Sequence, residues 1–125
     1  MTDLHGRHAL IVDDDPDMLE TIGAVVTAAG YVFESAPTAE LGLRKYKEVR
    51  PDFVMIDLMM EEVDAGTGLA KELKLLANKA PVYMLTSVGD QLNAMSDPAE
   101  LGVDGIFQKP IDFNTLKKTL KTRLG

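Results

Sequence analysis

The feature of this sequence that most constrains its fold is a regular alternation between short apolar runs and longer segments of helical periodicity. Five apolar runs have the length of strands: residues 8–12, 31–34, 53–56, 82–85 and 105–108. Continuous apolar runs separated by helices are typical of parallel strands that are covered on both faces. Because βαβ crossovers are right-handed and place helices outside the sheet, we predict an α/β fold with five parallel strands between two helical layers.

Start and stop signals support most of the helical segments. Pro16 suits the first turn of a helix that Gly30 ends, and Thr38 can cap the second helix. Asp112 or Asn114 can cap the last helix, whose inner face would carry Phe113, Leu116 and Leu120. The fourth segment is irregular. Residues 89–95 are weakly periodic and residues 96–98 resemble a new helix start, so we predict a loop and a short helix there.

Composition narrows the possible functions. The 125 residues fit a single domain spanning residues 1–125, and no apolar run approaches the roughly 20 residues of a membrane span. The absence of Cys excludes thiolate chemistry and suits a cytoplasmic protein. With 13 Lys and Arg against 20 Asp and Glu, the formal net charge is −7, which argues against direct binding to nucleic acid or to a membrane.

Polar side chains follow the predicted strands where each strand ends. Asp13 and Asp14 follow the first run, Asp57 follows the third, and Thr86 and Lys109 follow the fourth and fifth. In open parallel sheets, ligands bind outside the carboxyl ends of the strands. Three carboxylates in one pocket repel each other and favour a hard divalent cation, for which Mg²⁺ is the best match and Mn²⁺ or Ca²⁺ are possible substitutes.

Four segments carry a family resemblance. The stretches HALIVDDDPDM, FVMIDLMM, PVYMLTS and GIFQKP resemble the signature segments of two-component response-regulator receiver domains, in the family's order and over nearly the whole chain. The resemblance implies a three-layer (βα)5 flavodoxin-like fold with strand order 2-1-3-4-5. It also implies a phosphorelay switch in which Asp57 accepts a phosphoryl group from a histidine kinase or a histidine phosphotransfer protein. Phosphorylation would then change binding to an unknown downstream protein.

The resemblance assigns a role to each residue of the predicted pocket. It makes Asp13, Asp14, Asp57 and the backbone carbonyl of Met59 the metal ligands, with Asp14 the more direct of the acidic pair. Thr86 matches the hydroxyl that bonds the phosphoryl group, and Lys109 matches the family's lysine, followed by a cis peptide bond at Pro110. The implied chemistry is self-catalysed phosphotransfer and autodephosphorylation, with no further enzymatic activity.

Three departures from the family pattern affect the expected switch. Ile106 stands where receivers usually carry Tyr or Phe, with Phe107 next to it as a core residue. After Asp57, Glu61 and Ala65 replace the usual Pro and Gly, and Gly66 follows. The irregular fourth helix lies on the face through which many receivers bind partners or form homodimers, so that face should be unusual here.

Two other functions remain open on the sequence alone. One is a phosphorylation-independent interaction module on a receiver scaffold, which Ile106 and the irregular fourth helix favour. The other is a magnesium-dependent phosphatase with an aspartate nucleophile, similar to the haloacid dehalogenase superfamily, although Met59 stands where that superfamily has a second Asp. We interpret the cations of the last helix as a solvated face, and we expect Met60 to be exposed.

Overall fold

A parallel sheet of five strands forms the centre of the protein. The computed structural model describes residues 6–58, 60, 65–87 and 102–125. The strands are β1 (His8–Val12), β2 (Val32–Ala36), β3 (Phe53–Asp57), β4 (Val82–Ser87) and β5 (Gly105–Lys109). Their order in the sheet is β2-β1-β3-β4-β5 and all neighbouring pairs are parallel, which confirms the predicted flavodoxin-like topology.

Four helices lie within the described ranges. They are α1 (Pro16–Ala28), α2 (Ala39–Val49), α3 (Ala65–Leu75) and α4 (Phe113–Leu124). The loop and short helix predicted for residues 89–98 fall outside the described residues. Within the described part of the chain, no helix is long and apolar enough to cross a membrane.

Side-chain caps fix the starts of three helices. Asp15 caps α1 by accepting hydrogen bonds from the backbone N–H groups of Asp17 and Met18, at 3.0 and 3.4 Å. Thr38 caps α2 in the predicted way, and Asp112 rather than Asn114 caps α4. Each cap satisfies N–H groups that have no partner inside the helix. The caps therefore set where each helix begins relative to the strand before it.

Two separate hydrophobic cores lie on opposite faces of the sheet. Alternate strand residues point to opposite faces, so the apolar runs supply both cores at once. One core, against α2 and α3, includes Leu10, Val54, Ile56, Leu73 and Met84. The other, against α1 and α4, includes Ile11, Ile22, Met55, Leu85 and Leu116. Burial on both faces makes the sheet a firm support for side chains at its edges.

Several details of the sequence prediction are wrong. β2 runs to Ala36 because its pairing with β1 continues to the end of that strand, where Val12 faces Ala36. Phe113 is 42% exposed because it is the first residue of α4, one turn before Leu116, which reaches the core. Met60 is buried rather than exposed, since it packs into the core formed with α2 and α3.

Candidate functional site

The register of the sheet brings the predicted pocket residues to one edge. Val12 pairs with Ile56, so Asp13 and Asp57 follow at the same level on neighbouring strands. Asp57 pairs with Leu85, which places Thr86 one residue further along β4. Ser87 pairs with Lys109 at the end of β5. Because all strands are parallel, these side chains share the carboxyl edge of the sheet, hereafter the acidic edge.

Three carboxylates cluster at the acidic edge. Asp13, Asp14 and Asp57 each offer an oxygen atom, and these atoms all lie within 4.8 Å of one another. Asp13 is fully buried and Asp57 is 4% exposed, whereas Asp14 is exposed. Like charges at this separation disfavour one another, and burial of two of them adds a desolvation cost. The cluster therefore requires positive charge close by.

Lys109 supplies part of that charge. Its Nζ lies 3.2 Å from Oδ2 of Asp13 and 3.5 Å from Oδ2 of Asp57, and its side chain is 17% exposed. Burial lowers the pKa of Lys109, but the charges of Asp13 and Asp57 outweigh that effect, so the pKa is raised overall. Lys109 is thus positively charged at neutral pH and faces both carboxylates.

The oxygen atoms of the cluster fit a hard divalent cation. Three carboxylates and one ammonium leave a net local charge of two negative units. Oδ2 of Asp13 is buried and has no hydrogen-bond partner among the described residues, although it forms the ion pair with Lys109. An all-oxygen set with spare negative charge is the ligand type that Mg²⁺ prefers. Met59, whose carbonyl the resemblance adds to this set, lies outside the described residues.

The three consecutive aspartates after β1 do different things. The backbone N–H of Asp13 donates to the Ala36 carbonyl at 3.1 Å, and Oδ1 of Asp13 accepts from the Asp15 N–H at 3.0 Å. Asp14 projects to solvent beside the cluster, while the Asp15 side chain is engaged in capping α1. The predicted peripheral position of Asp15 therefore has a structural reason, and of these three aspartates only Asp13 and Asp14 belong to the carboxylate cluster.

Gly66 is a site residue that the sequence reasoning did not identify. It lies in the first turn of α3, where the helix passes over the backbone of Asp57. A Cβ atom at Gly66 would overlap the Asp57 carbonyl oxygen and would lie 2.9 Å from Cα of Leu58. The sequence signal that could have identified it is that the family pattern has Gly at the position of Ala65, and Gly66 is the next residue. The absence of a side chain at Gly66 thus allows α3 to pack directly against the backbone of Asp57.

The face of the sheet decides which residue can neighbour Thr86. Thr86 is 2% exposed and shares its face with Met84 and Ile106, whereas Phe107 points to the opposite face. The Phe107 ring packs there against Tyr83, with ring centroids 5.4 Å apart. Phe107 is therefore a core residue, as predicted, and cannot substitute for an aromatic residue on the Thr86 face.

The predicted cis peptide bond is also present. The bond between Lys109 and Pro110 is cis, directly after the lysine that faces Asp13 and Asp57. All described members of the predicted site, namely Asp13, Asp14, Asp57, Thr86 and Lys109, thus lie at the acidic edge. Their arrangement places a cluster of carboxylate oxygens beside the Lys109 ammonium.

Comparisons with known proteins give a consistent picture. Residues 9–121 match the sequence profile of the family described as response regulator receiver domain. Over 117 residues, the chain is 33% identical to the transcriptional regulatory protein GlrR of Escherichia coli, covering 94% of this chain and 26% of that protein. The chain spans about a quarter to a half of the length of this protein and of several other curated relatives that it matches.

Solved structures share the whole fold. A putative response regulator from Chloroflexus aurantiacus superposes with a TM-score of 0.83 at 29% identity, covering 95% of this chain and 98% of that one. The chemotaxis protein CheY4 of Vibrio cholerae gives a TM-score of 0.82 at 26% identity, covering 95% and 99% of the two chains. The similarity therefore extends through all five strands rather than through isolated motifs.

Proposed function

The chain belongs to the response regulator receiver domain family of two-component signalling, and from that premise we propose that it is a phosphoacceptor switch with Asp57 as the acceptor. The observation that carries the proposal is the geometry of the acidic edge. Asp57 lies in a three-carboxylate cluster and its Oδ2 is 3.5 Å from the Lys109 ammonium. A nucleophilic carboxylate, oxygen ligands for a metal and a fixed cation are what phosphoryl transfer to an aspartate requires.

The proposed step is an in-line displacement at phosphorus. An oxygen of the Asp57 carboxylate attacks the phosphorus of a phosphohistidine, and the new O–P bond forms as the N–P bond breaks. The bonding electron pair stays with the imidazole ring, which takes up a proton as it leaves. Histidine kinases or histidine phosphotransfer proteins are the donors of this chemistry, and we propose one of them as the upstream partner.

Lys109 and Thr86 are proposed to hold the transferred group. Lys109 already faces Asp57, so its ammonium can pair with a phosphoryl oxygen without a large movement. Thr86 lies one position beyond the residue that pairs with Asp57, on the neighbouring strand. Its hydroxyl can donate a hydrogen bond to a second phosphoryl oxygen. Both contacts stabilise charge that develops on the phosphoryl oxygens during transfer.

We propose Asp13, Asp14 and Asp57 as the side-chain ligands of Mg²⁺. Bound Mg²⁺ would neutralise the phosphoryl oxygens during the transfer. Asp13 brings its buried Oδ2, which pairs with Lys109 but accepts no hydrogen bond from the described residues, and Asp14 brings a carboxylate that is open to solvent. Because Asp14 is exposed while Asp13 is fixed by backbone contacts, Asp14 can adjust to the metal and Asp13 defines its position.

The consequence of phosphorylation is proposed to be a change in partner binding. A phosphoryl group draws Thr86 toward Asp57 and so shifts the population between two conformations of the domain. Ile106 occupies the position on the Thr86 face where an aromatic side chain would otherwise respond. An aliphatic side chain has neither a ring nor a hydroxyl with which to respond to phosphorylation. We therefore propose that the conformational change reaches the partner through altered packing between β4 and β5.

The test is phosphorylation of the purified chain by acetyl phosphate and Mg²⁺, followed by intact mass spectrometry. We expect a phosphate-sized mass gain in the wild type and in the Asp17→Ala control, which removes an exposed aspartate of α1. We expect no gain in Asp57→Ala. A chelator added before acetyl phosphate should also abolish the gain in the wild type.

Two results would contradict the proposal. A mass gain that persists in Asp57→Ala would move the acceptor to another residue. No gain in a wild-type protein that is folded by circular dichroism would favour the phosphorylation-independent interaction module.

A further inference from the structure

A cavity of about 660 Å³ opens at the amino ends of the strands, on the side of the sheet opposite the acidic edge. Its lining includes five cations and a single anion. The cations are Arg7, Lys47, Arg50, Lys79 and Arg123, and the anion is Asp52. The chain as a whole has a net charge of −7, so a cavity with four excess positive charges is a marked reversal. We refer to this cavity and its lining as the basic edge.

Within the described part of the chain, the cations of the basic edge form no ion pair, although Asp104 lies close enough to Arg123 to interact with its charge. The ion pairs formed by described residues involve other cations, namely His8, Arg44, Lys45 and Lys109. Asp52, the anion of the lining, uses Oδ2 to accept a hydrogen bond from the His8 backbone N–H at 2.9 Å. The positive charge of the cavity is therefore available to a bound anion.

Helix ends reduce this charge only in part. The carboxyl ends of α2, α3 and α4 lie at the same side of the fold, and Lys47 and Arg123 occupy the last turns of α2 and α4. Each helix end contributes roughly half a negative charge, which is partly satisfied by such cations. Three helix ends thus offset less than half of the four excess charges, so the cavity remains positive.

The base of the cavity is rigid. Oδ1 of Asn78 accepts from the Tyr46 hydroxyl at 2.8 Å and from the Ala80 N–H at 3.0 Å, and its amide donates to the Ala80 carbonyl at 2.7 Å. Nε of Arg123 donates to the Tyr83 hydroxyl at 2.9 Å, which fixes the guanidinium at the rim. A hydrogen-bonded base with exposed cations around it suits a ligand with several anionic groups.

We propose that the basic edge binds a small phosphate-rich anion, such as an inorganic polyphosphate or the phosphate chain of a nucleotide. Three arginines can form paired hydrogen bonds with phosphate oxygens, and two lysines add point charges. The volume lies within the roughly 300–1,000 Å³ typical of small-ligand sites. The site is on the opposite edge from Asp57, so it is separate from the proposed phosphoacceptor pocket.

The test is titration with sodium tripolyphosphate in metal-free buffer, followed by calorimetry and by amide NMR. We expect saturable binding of one anion per chain, with the largest amide shifts at Arg50, Asp52 and residues 77–80. A parallel titration with ATP distinguishes an inorganic polyphosphate from a nucleotide as the ligand. Equal affinity assigns an inorganic polyphosphate, and tighter binding of ATP assigns a nucleotide.

Two triple variants provide a matched comparison. R7Q/K47Q/K79Q removes three cations of the cavity, and K117Q/K118Q/K121Q removes three exposed cations of α4 that do not line it. Each triple variant changes the formal net charge from −7 to −10, so the effect of net charge on anion binding is the same in both. We expect about a tenfold loss of tripolyphosphate affinity in the cavity variant, which corresponds to about 1.4 kcal/mol, and less than a twofold loss in the other.

Several outcomes would overturn the proposal. These are the absence of saturable binding, equal weakening in both triple variants, or amide shifts that map to the acidic edge. Self-association that is lost only in the cavity variant, without tripolyphosphate binding, would assign the basic edge to the acidic surface of a second copy instead. Asp57→Ala should bind tripolyphosphate as the wild type does, so failure of the proposed phosphoacceptor function would leave this result unaffected.

Discussion

The two edges of the sheet carry opposite charge in different physical settings. At the acidic edge, the charges of Asp13 and Asp57 are buried and are held by Lys109 at 3.2 and 3.5 Å. At the basic edge, the five cations are exposed and surround a cavity. Buried charges are costly and interact strongly, whereas exposed charges are screened by water and salt. The same fold therefore supports one edge suited to chemistry and one suited to reversible binding.

The largest expected difference in stability between the two edges comes from removing one cation from each of them in turn. We expect Lys109→Met to lower the free energy of unfolding by about 3 kcal/mol, because it leaves two buried carboxylates without their cation. We expect Lys79→Met, an exposed cation of the basic edge, to change it by about 0.5 kcal/mol or less. Urea unfolding monitored by circular dichroism measures both. Equal losses in the two variants would remove the distinction between the edges.

The contribution of Lys109 should also depend on pH in a defined direction. Its pKa is raised in the folded protein, so its stabilising effect is fully present below the ordinary lysine value of about 10.4 and is lost as pH rises through the folded value. The difference in unfolding free energy between wild type and Lys109→Met should stay constant from about pH 7 to 9 and shrink above about pH 10.4. A difference that already shrinks near neutral pH would show that Lys109 is not held charged by these carboxylates.

A second comparison concerns two glycines of α3. At Gly66, a Cβ atom meets the backbone of Asp57 and Leu58, while at Gly68 a Cβ atom meets nothing within 4 Å. We expect Gly66→Ala to lower the free energy of unfolding by about 2 kcal/mol, since neither backbone can move freely. We expect Gly68→Ala to raise it by about 0.5–1 kcal/mol through better helix propensity. Gly66→Ala should also slow phosphorylation at Asp57. An unchanged free energy of unfolding in Gly66→Ala would contradict the close approach of α3 to the Asp57 backbone.

The smallest expected effect lies at the basic edge. Ala77 has a φ of 60° at the end of α3, where its N–H donates to the Lys74 carbonyl and the Asn78 N–H donates to the Leu73 carbonyl. Glycine adopts this left-handed conformation without steric cost, so Ala77→Gly should stabilise the protein by about 0.5 kcal/mol net of chain entropy.

Ala29→Gly is the control for this substitution. Ala29 ends α1 with a φ of −81°, so glycine there brings no relief of strain and should destabilise by about 0.5–1 kcal/mol. Thermal unfolding of both variants gives the comparison. A loss of stability in Ala77→Gly equal to that in Ala29→Gly would contradict the assignment of strain to Ala77.

The sequence predicts most of the acidic edge because that edge depends on local patterns. Each strand is an apolar run, and Asp13, Asp57 and Lys109 follow or end such runs directly. Parallel pairing then brings those ends together, so the pocket follows from topology. The need for Gly66 could not be predicted, because it depends on how closely α3 approaches the Asp57 backbone.

The basic edge could not be predicted from the sequence for a related reason. Its cations are far apart along the chain, in the segment before β1, in and after α2, after α3 and in α4. No local motif connects Arg7 with Lys79 or Arg123, and an acidic composition argues against any basic site. Likewise, the exposed position of Phe113 depends on where Asp112 starts α4 rather than on helical periodicity.

The division of the interior into two cores has a consequence for how such a domain can diverge. Thr86 and Ile106 share a face with the core against α2 and α3, whereas Phe53, Tyr83 and Phe107 stack on the other side of the sheet. Substitutions in that aromatic stack are separated from the Thr86 face by a layer of backbone. Substitutions in the aromatic stack should therefore change the stability of one core while leaving the packing around Thr86 largely unchanged.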